Sequence, residues 1–190
     1  MPEPHAGGPF IRQNFLAPVE LMKTLAALDR LSSSWAPSQE LRLLGRGQTS
    51  QVRGADIAVQ AQLDVVRSAL APAALAWAKA CGFWFPKPPR LQLFPVRMFG
   101  DKENPAYQEP HVDSVDSEPD PPICANVFYA RARAIEGGEL VVAARRGGDL
   151  TEPVVVRPTP NMLVSFAGDR LHTVRPLFAG ERLSVVINFY

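Results

Sequence analysis

Cysteine is nearly missing from this chain: Cys81 and Cys124 are the only two in 190 residues. That excludes the disulfide framework of a small secreted domain and leads us to expect a reduced, cytoplasmic protein. Long apolar runs are missing too. The stretch 70–80 is among the longest and falls well short of the ~20 residues that span a bilayer, so no membrane partner is expected. The opening segment MPEPHAGGPF has no basic stretch followed by an apolar one, and no secretory leader is read there. An excess of charge is equally absent, since 20 Lys and Arg against 19 Asp and Glu leave +1. So weak a net field gives no reason to expect nucleic acid as a partner. No internal repeat is visible, and the densest proline region, 117–122, is a loop.

What is present is a hydrophobic content of 46%, enough for one well-packed domain in 190 residues and too little chain for two of full size. We therefore expect a single domain over 1–190, with 1–82 mainly helical and 83–190 forming a β core. Pro18, followed by Val19, Met22, Leu25 and Leu28, predicts an amphipathic helix with proline in its first turn. A second helix begins near Asp56, where Val59, Leu63, Val66 and Leu70 form one stripe. Pro72 interrupts or restarts it, and Gly82 is a plausible stop after Cys81. The stretch 32–54, with Arg42, Arg46 and Arg53 among small polar residues, is a loop or a short strand pair.

After Pro86, Pro88 and Pro89 the pattern changes to short β-rich runs between turn residues. These are 91–99, 107–114, 123–131, 139–144, 153–157, 162–166, 171–174 and 183–189. So many short strands without helices between them argue for an antiparallel sandwich or barrel. Trp77, Trp84 and Phe85 read as packing between helix and sheet.

Of three histidines, His5 lies near the chain start and is read as disordered, leaving two in the β region. In a strand, His111 and Asp113 at i and i+2 project to one face while Val112 points away. His172 lies in another short strand behind the turn 167–170. Two imidazoles and a carboxylate from two strands make up the facial triad of mononuclear non-haem Fe(II) sites, which leaves three positions open. A lone His-x-Asp is weak, and an inward histidine is commonly a hydrogen-bonded core residue. The downstream residues add weight. Arg182 stands ten positions after His172, across a turn containing Pro176 and Gly180, with Ser184 on the same strand face. The alternating run Leu183, Val185, Ile187, Phe189 implies burial, where a guanidinium needs an anion. A carboxylate held by an arginine fork and a hydroxyl suits the far end of a 2-oxo acid that chelates the metal.

The chain here resembles the iron(II)/2-oxoglutarate-dependent oxygenases, in particular their prolyl-4-hydroxylase-like branch. The resemblance rests on His111-Val112-Asp113, on Glu136-Gly137-Gly138-Glu139-Leu140, on the block from Phe166 to His172 and on Gly180-Glu181-Arg182-Leu183-Ser184, and it covers about Leu91 to Tyr190. It implies that His111, Asp113 and His172 are the metal ligands and catalytic centre, and that Arg182, with Ser184, holds the distal carboxylate of 2-oxoglutarate. Tyr129 would place a hydroxyl on the same carboxylate, although a strand tyrosine is as often ordinary core. Phe99 stands where the family often has tyrosine upstream of the His-x-Asp, so that hydrogen bond would be missing.

The expected fold is a jelly-roll, cupin-like double-stranded β-helix supported by N-terminal helices. The resemblance implies Fe(II), O2 and 2-oxoglutarate as cosubstrate, with ascorbate as a reductant, and hydroxylation of an unactivated C–H bond with release of succinate and CO2. Asp113 argues against halogenation, because related halogenases carry a small residue there. A small molecule such as an amino acid or natural product is the expected substrate. A protein prolyl hydroxylase, a non-catalytic metal/oxo-acid-binding barrel and a cupin-like enzyme using another metal are the alternatives. The acidic segment with Asp116, Glu118 and Asp120 is a solvated loop or a lid for a basic substrate. Arg131 shares a face with Tyr129 by alternation, and Arg133, Arg145 and Arg146 read as exposed or substrate-facing.

Overall fold

The computed structural model describes residues 9–31, 35–37, 48–52, 57–113, 120–144 and 148–190. Arg42, Arg46, Arg53, Asp116, Glu118, Arg145, Arg146 and His5 lie outside them. The elements in chain order are β1 (Phe10–Arg12), α1 (Pro18–Arg30), β2 (Trp35–Pro37), β3 (Gln48–Val52), α2 (Ile57–Ala80), β4 (Leu91–Phe99), β5 (Ala106–His111), β6 (Cys124–Gly137), β7 (Leu140–Ala143), β8 (Pro153–Val156), β9 (Met162–Phe166) and β10 (His172–Phe189). Both expected helices form. Pro72 does not interrupt α2, whose buried Val66, Leu70, Ala74 and Ala78 join one apolar cluster on both sides of the proline. Tertiary burial there outweighs the single backbone hydrogen bond that proline removes. The undecided stretch 32–54 contributes a strand pair, β2 with β3.

All strand pairings are antiparallel. One sheet runs β1-β9-β6-β10-β4-β3-β2, and β5, β7 and β8 form a second layer through the first part of β10. The two short strands expected at 171–174 and 183–189 are therefore one, because β10 bends through its middle and serves both layers. Its start pairs with β5 and β7, its end with β4 and β6. The bend needs Gly180, whose φ is 84° and whose added Cβ would lie 2.2 Å from the Arg133 carbonyl oxygen.

Alternation sorts the side chains into two cores. Cys124, Phe128, Ala130, Leu163, Leu183, Val185, Ile187 and Phe189 face the helices and pack with Leu28, Val66, Leu70 and Ala78. Val96, Met98, Val127, Tyr129, Val142, Met162, Phe166 and Val174 face the interior between the layers. Two layers curled around such an interior, with helices on one outer face, make a double-stranded β-helix. Phe85 packs on Phe189, ring centroids 5.9 Å apart, and Trp77 is partly buried against the helix-side core. Trp84 does not pack as expected: it is 68% exposed. Among the described residues no helix is long and apolar enough to cross a membrane.

Candidate metal centre

His172 opens β10 in the middle of the smaller layer, opposite His111 of β5 on one side and Val142 of β7 on the other. Paired residues share a face, so both imidazoles turn into the interior. β5 ends at His111, and Asp113 lies two residues beyond it rather than in the strand. The alternation nevertheless survives: Val112 is exposed while Asp113 turns back toward the histidines. Asp113 Oδ1 is 3.6 Å from His111 Nε2 and 3.5 Å from His172 Nε2. Ligand atoms from the three residues all lie within 4.8 Å of one another, and the group could hold a metal ion.

The hydrogen bonds around the histidines fix which nitrogen is available. His172 Nδ1 lies 2.9 Å from the Arg170 carbonyl oxygen, and His111 Nδ1 lies 2.8 Å from that of Glu109. A carbonyl only accepts, so each Nδ1 donates its proton, and each Nε2 keeps a lone pair toward Asp113. Such bonds orient metal-binding imidazoles in general. Burial pushes the Asp113 carboxyl up; with both rings protonated, hydrogen bonds and charge from His111 and His172 outweigh it and hold the carboxyl well below the usual carboxylate range. Phe166 closes one side, its ring edge-on to His172 at 4.9 Å. Two imidazoles and a carboxylate offered from one side would suit a divalent iron ion.

Arg182 and Ser184 stand on the interior face of β10, as expected, and are 4% and 2% exposed. Tyr129, opposite Ser184 on β6, is wholly buried. Arg182 Nη2 donates to the Tyr129 hydroxyl over 3.5 Å, and the guanidinium sits 5.0 Å from the ring centroid. Among the described residues, its Nη1 reaches only the Met98 sulfur, at 3.5 Å, and its Nε has no partner. No described carboxylate pairs with it. Burial raises the Tyr129 phenol above its ordinary range, against the opposing pull of Arg182, so the hydroxyl stays neutral. A neutral hydroxyl, a serine and an unsatisfied guanidinium can receive one carboxylate.

Two β-bulges change which side chains reach the interior. On β6, Arg131 opposes Leu183 while Tyr129 opposes Ser184, so Ala130 is an extra residue. Arg131 therefore does not share Tyr129's face. It turns to the helix side, where Nη2 binds both oxygens of Asp29 at 2.9 and 3.0 Å and Nη1 lies 3.4 Å from Glu181. On β5, Glu109 and Pro110 together oppose Thr173, between the pairs His111–His172 and Gln108–Val174. That bulge puts Gln108 on the same face as His111, three residues away, and its amide lies 2.9 Å from His111 Nε2. Alternation alone assigns Gln108 to the opposite face. Pro110 inside a strand was the one sequence signal of the irregularity.

Phe99 points away from the interior, under the Arg97 guanidinium at 4.5 Å, and Met98 is the β4 side chain beside Arg182. Arg133 and Asp120 are exposed.

The chain matches no family model and no curated protein. Solved structures do resemble it. A prolyl hydroxylase from Trichoplax adhaerens, in complex with a hypoxia inducible factor oxygen degradation domain peptide, is 16% identical with a TM-score of 0.70. That match covers 97% of this chain and 84% of the other. A prolyl-4-hydroxylase from Pseudomonas putida is 21% identical at a TM-score of 0.62, over 96% of this chain and 92% of that one. The non-haem alpha-ketoglutarate-dependent epimerase of nogalamycin biosynthesis is 17% identical at a TM-score of 0.72, over 97% and 78%. Likeness at such identities establishes the fold.

Proposed function

We propose that this chain is an Fe(II)- and 2-oxoglutarate-dependent oxygenase of the prolyl-4-hydroxylase-like branch, hydroxylating an unactivated C–H bond of a small molecule. The observation that carries the reading is the buried Arg182, which has no described carboxylate partner and stands beside Tyr129 and Ser184 in the same interior as His111, Asp113 and His172. A buried cation of this kind calls for an anionic ligand, and a ligand spanning from it to the metal ligands is a 2-oxo acid with a distal carboxylate.

In this reading His111, Asp113 and His172 hold the iron. Bound there, iron and 2-oxoglutarate supply oxidation by O2, with loss of CO2 and succinate as coproduct, and ascorbate keeps the metal reduced. The chain's own residues orient and exclude. The Arg170 and Glu109 carbonyls keep both Nδ1 atoms protonated, Asp113 supplies the anion, and Arg182, Tyr129 and Ser184 align the cosubstrate. Phe166, Val142 and Val174 keep water from the interior. Residues 1–190 act as one domain in this reading, in the cytoplasm, consistent with two unpaired cysteines.

A protein prolyl side chain is the second reading for the substrate, supported by the prolyl hydroxylases among the neighbours. The small-molecule reading is supported by the epimerase of nogalamycin biosynthesis. The test incubates purified protein with Fe(II), ascorbate, O2 and 2-oxoglutarate against free amino acids and prolyl peptides. We expect succinate and a one-oxygen mass gain with a free small molecule; gain on the peptides alone selects the second reading. Iron and 2-oxoglutarate binding without succinate from any mixture would leave a non-catalytic binding barrel instead.

A further inference from the structure

Among the described residues, the Gln108 carboxamide is the one neutral polar side chain that reaches a proposed metal ligand. The ring of His111 is already fixed through Nδ1 by the Glu109 carbonyl. Gln108 approaches the other nitrogen, Nε2, at 2.9 Å. With the proton on Nδ1, Nε2 only accepts, so the Gln108 amide donates to it. One lone pair cannot serve both an amide N–H and a metal ion. Among the described residues, this is the only side-chain hydrogen bond the Gln108 amide makes.

The backbone holds Gln108 at this spot. Its partner across the ladder is Val174, which faces the interior, and the Glu109–Pro110 bulge keeps Gln108 and His111 on one face. Thr173 Oγ1 donates to the Gln108 carbonyl oxygen, closing a backbone acceptor at the bulge. The backbone of this residue is therefore held in place, and displacing the amide requires only a rotation of the side chain.

We propose that Gln108 is a positioning residue of the metal centre: its amide competes with the metal for His111 Nε2 and, once displaced, turns to the open side of the ion as a hydrogen-bond donor to whatever binds there. This rests on His111, Asp113 and His172 being the metal ligands. Gln108 thereby holds metal affinity below what the three ligands alone would give, and couples metal loading to the presentation of a polar group.

The test uses Mn(II) alone as probe, by calorimetry on the full chain. Breaking one net hydrogen bond accounts for roughly a two- to tenfold factor. Gln108→Leu, similar in size without the amide, should therefore bind Mn(II) about two- to tenfold tighter than the parent. A gain in affinity is an effect that structural damage does not produce. Gln108→Met is a second apolar variant in case the first does not fold. The displaced amide should also slow exchange of metal-bound water, so water-proton relaxation with Mn(II) should show faster exchange in Gln108→Leu. Unchanged or weaker Mn(II) binding in both variants overturns the proposal. Failure of the ligand assignment looks different: His172→Ala would then bind Mn(II) as well as the parent.

Discussion

Replacing Arg182 by methionine should stabilise the protein while abolishing its response to 2-oxoglutarate. The buried guanidinium has no described carboxylate partner, and its Nε is unpartnered. An ion taken out of water in this way carries a penalty of several kcal/mol. The Tyr129 ring, 5.0 Å away, returns up to about 2 kcal/mol. The two 3.5 Å contacts to Tyr129 and Met98 return about 1 kcal/mol more, being long. A linear apolar side chain fills similar space, so the net gain is about 1–3 kcal/mol. For a chain of this length that is a rise in Tm of roughly 2–10 °C. Binding moves the other way. Losing two charge-assisted hydrogen bonds to a carboxylate should raise the Kd for 2-oxoglutarate roughly 10²- to 10³-fold. The assay is thermal unfolding with Mn(II), with and without 2-oxoglutarate. The parent should gain about 2.7 kcal/mol at a hundredfold excess over its Kd, and Arg182→Met at the same concentration at most about 0.4 kcal/mol. If Arg182→Met melts lower than the parent and keeps its 2-oxoglutarate shift, the guanidinium is a structural group and the carboxylate assignment is wrong.

Tyr129→Phe should weaken 2-oxoglutarate binding about tenfold with little change in stability at neutral pH, read by the same melts. Burial raises the Tyr129 pKa, so its stability contribution is complete below the ordinary tyrosine range near ~10 and is lost as pH rises through the folded value. Urea unfolding between pH 9 and 11, by order of magnitude around that range, should therefore fall less steeply for Tyr129→Phe; parallel curves would show that the phenol is not what titrates. Asp113→Asn keeps the shape and removes the anion, and should lower Mn(II) affinity at least ~10-fold by calorimetry, comparable to the loss of a ligand's charge support. Gly180→Ala should lower Tm by roughly 4–8 °C, from a strain of at least ~2 kcal/mol at its positive φ and clash with the Arg133 and Ala134 carbonyls; an unchanged melt would mean that the bend in β10 tolerates a side chain.

Much of this molecule was legible before its fold was known. The β-rich runs between turn residues marked β4 and β9 to the residue, because β propensity and turn chemistry are local properties of the chain. His111, Asp113, His172 and Arg182 stood out as candidates because those residue types, at those spacings, serve few structural purposes together. Three-dimensional pairing decided the rest. Two strands expected at 171–174 and 183–189 are one because β10 finds partners in both layers, and no local pattern encodes a partner. Arg131 faces helix α1 and Gln108 faces His111 for a single reason: each lies across a one-residue bulge, and one extra residue reverses every face beyond it. Whether a strand bulges depends on what lies opposite. The sequence thus set which groups are available to bind a metal and a carboxylate, and the ladder register set which of their neighbours stand inside with them.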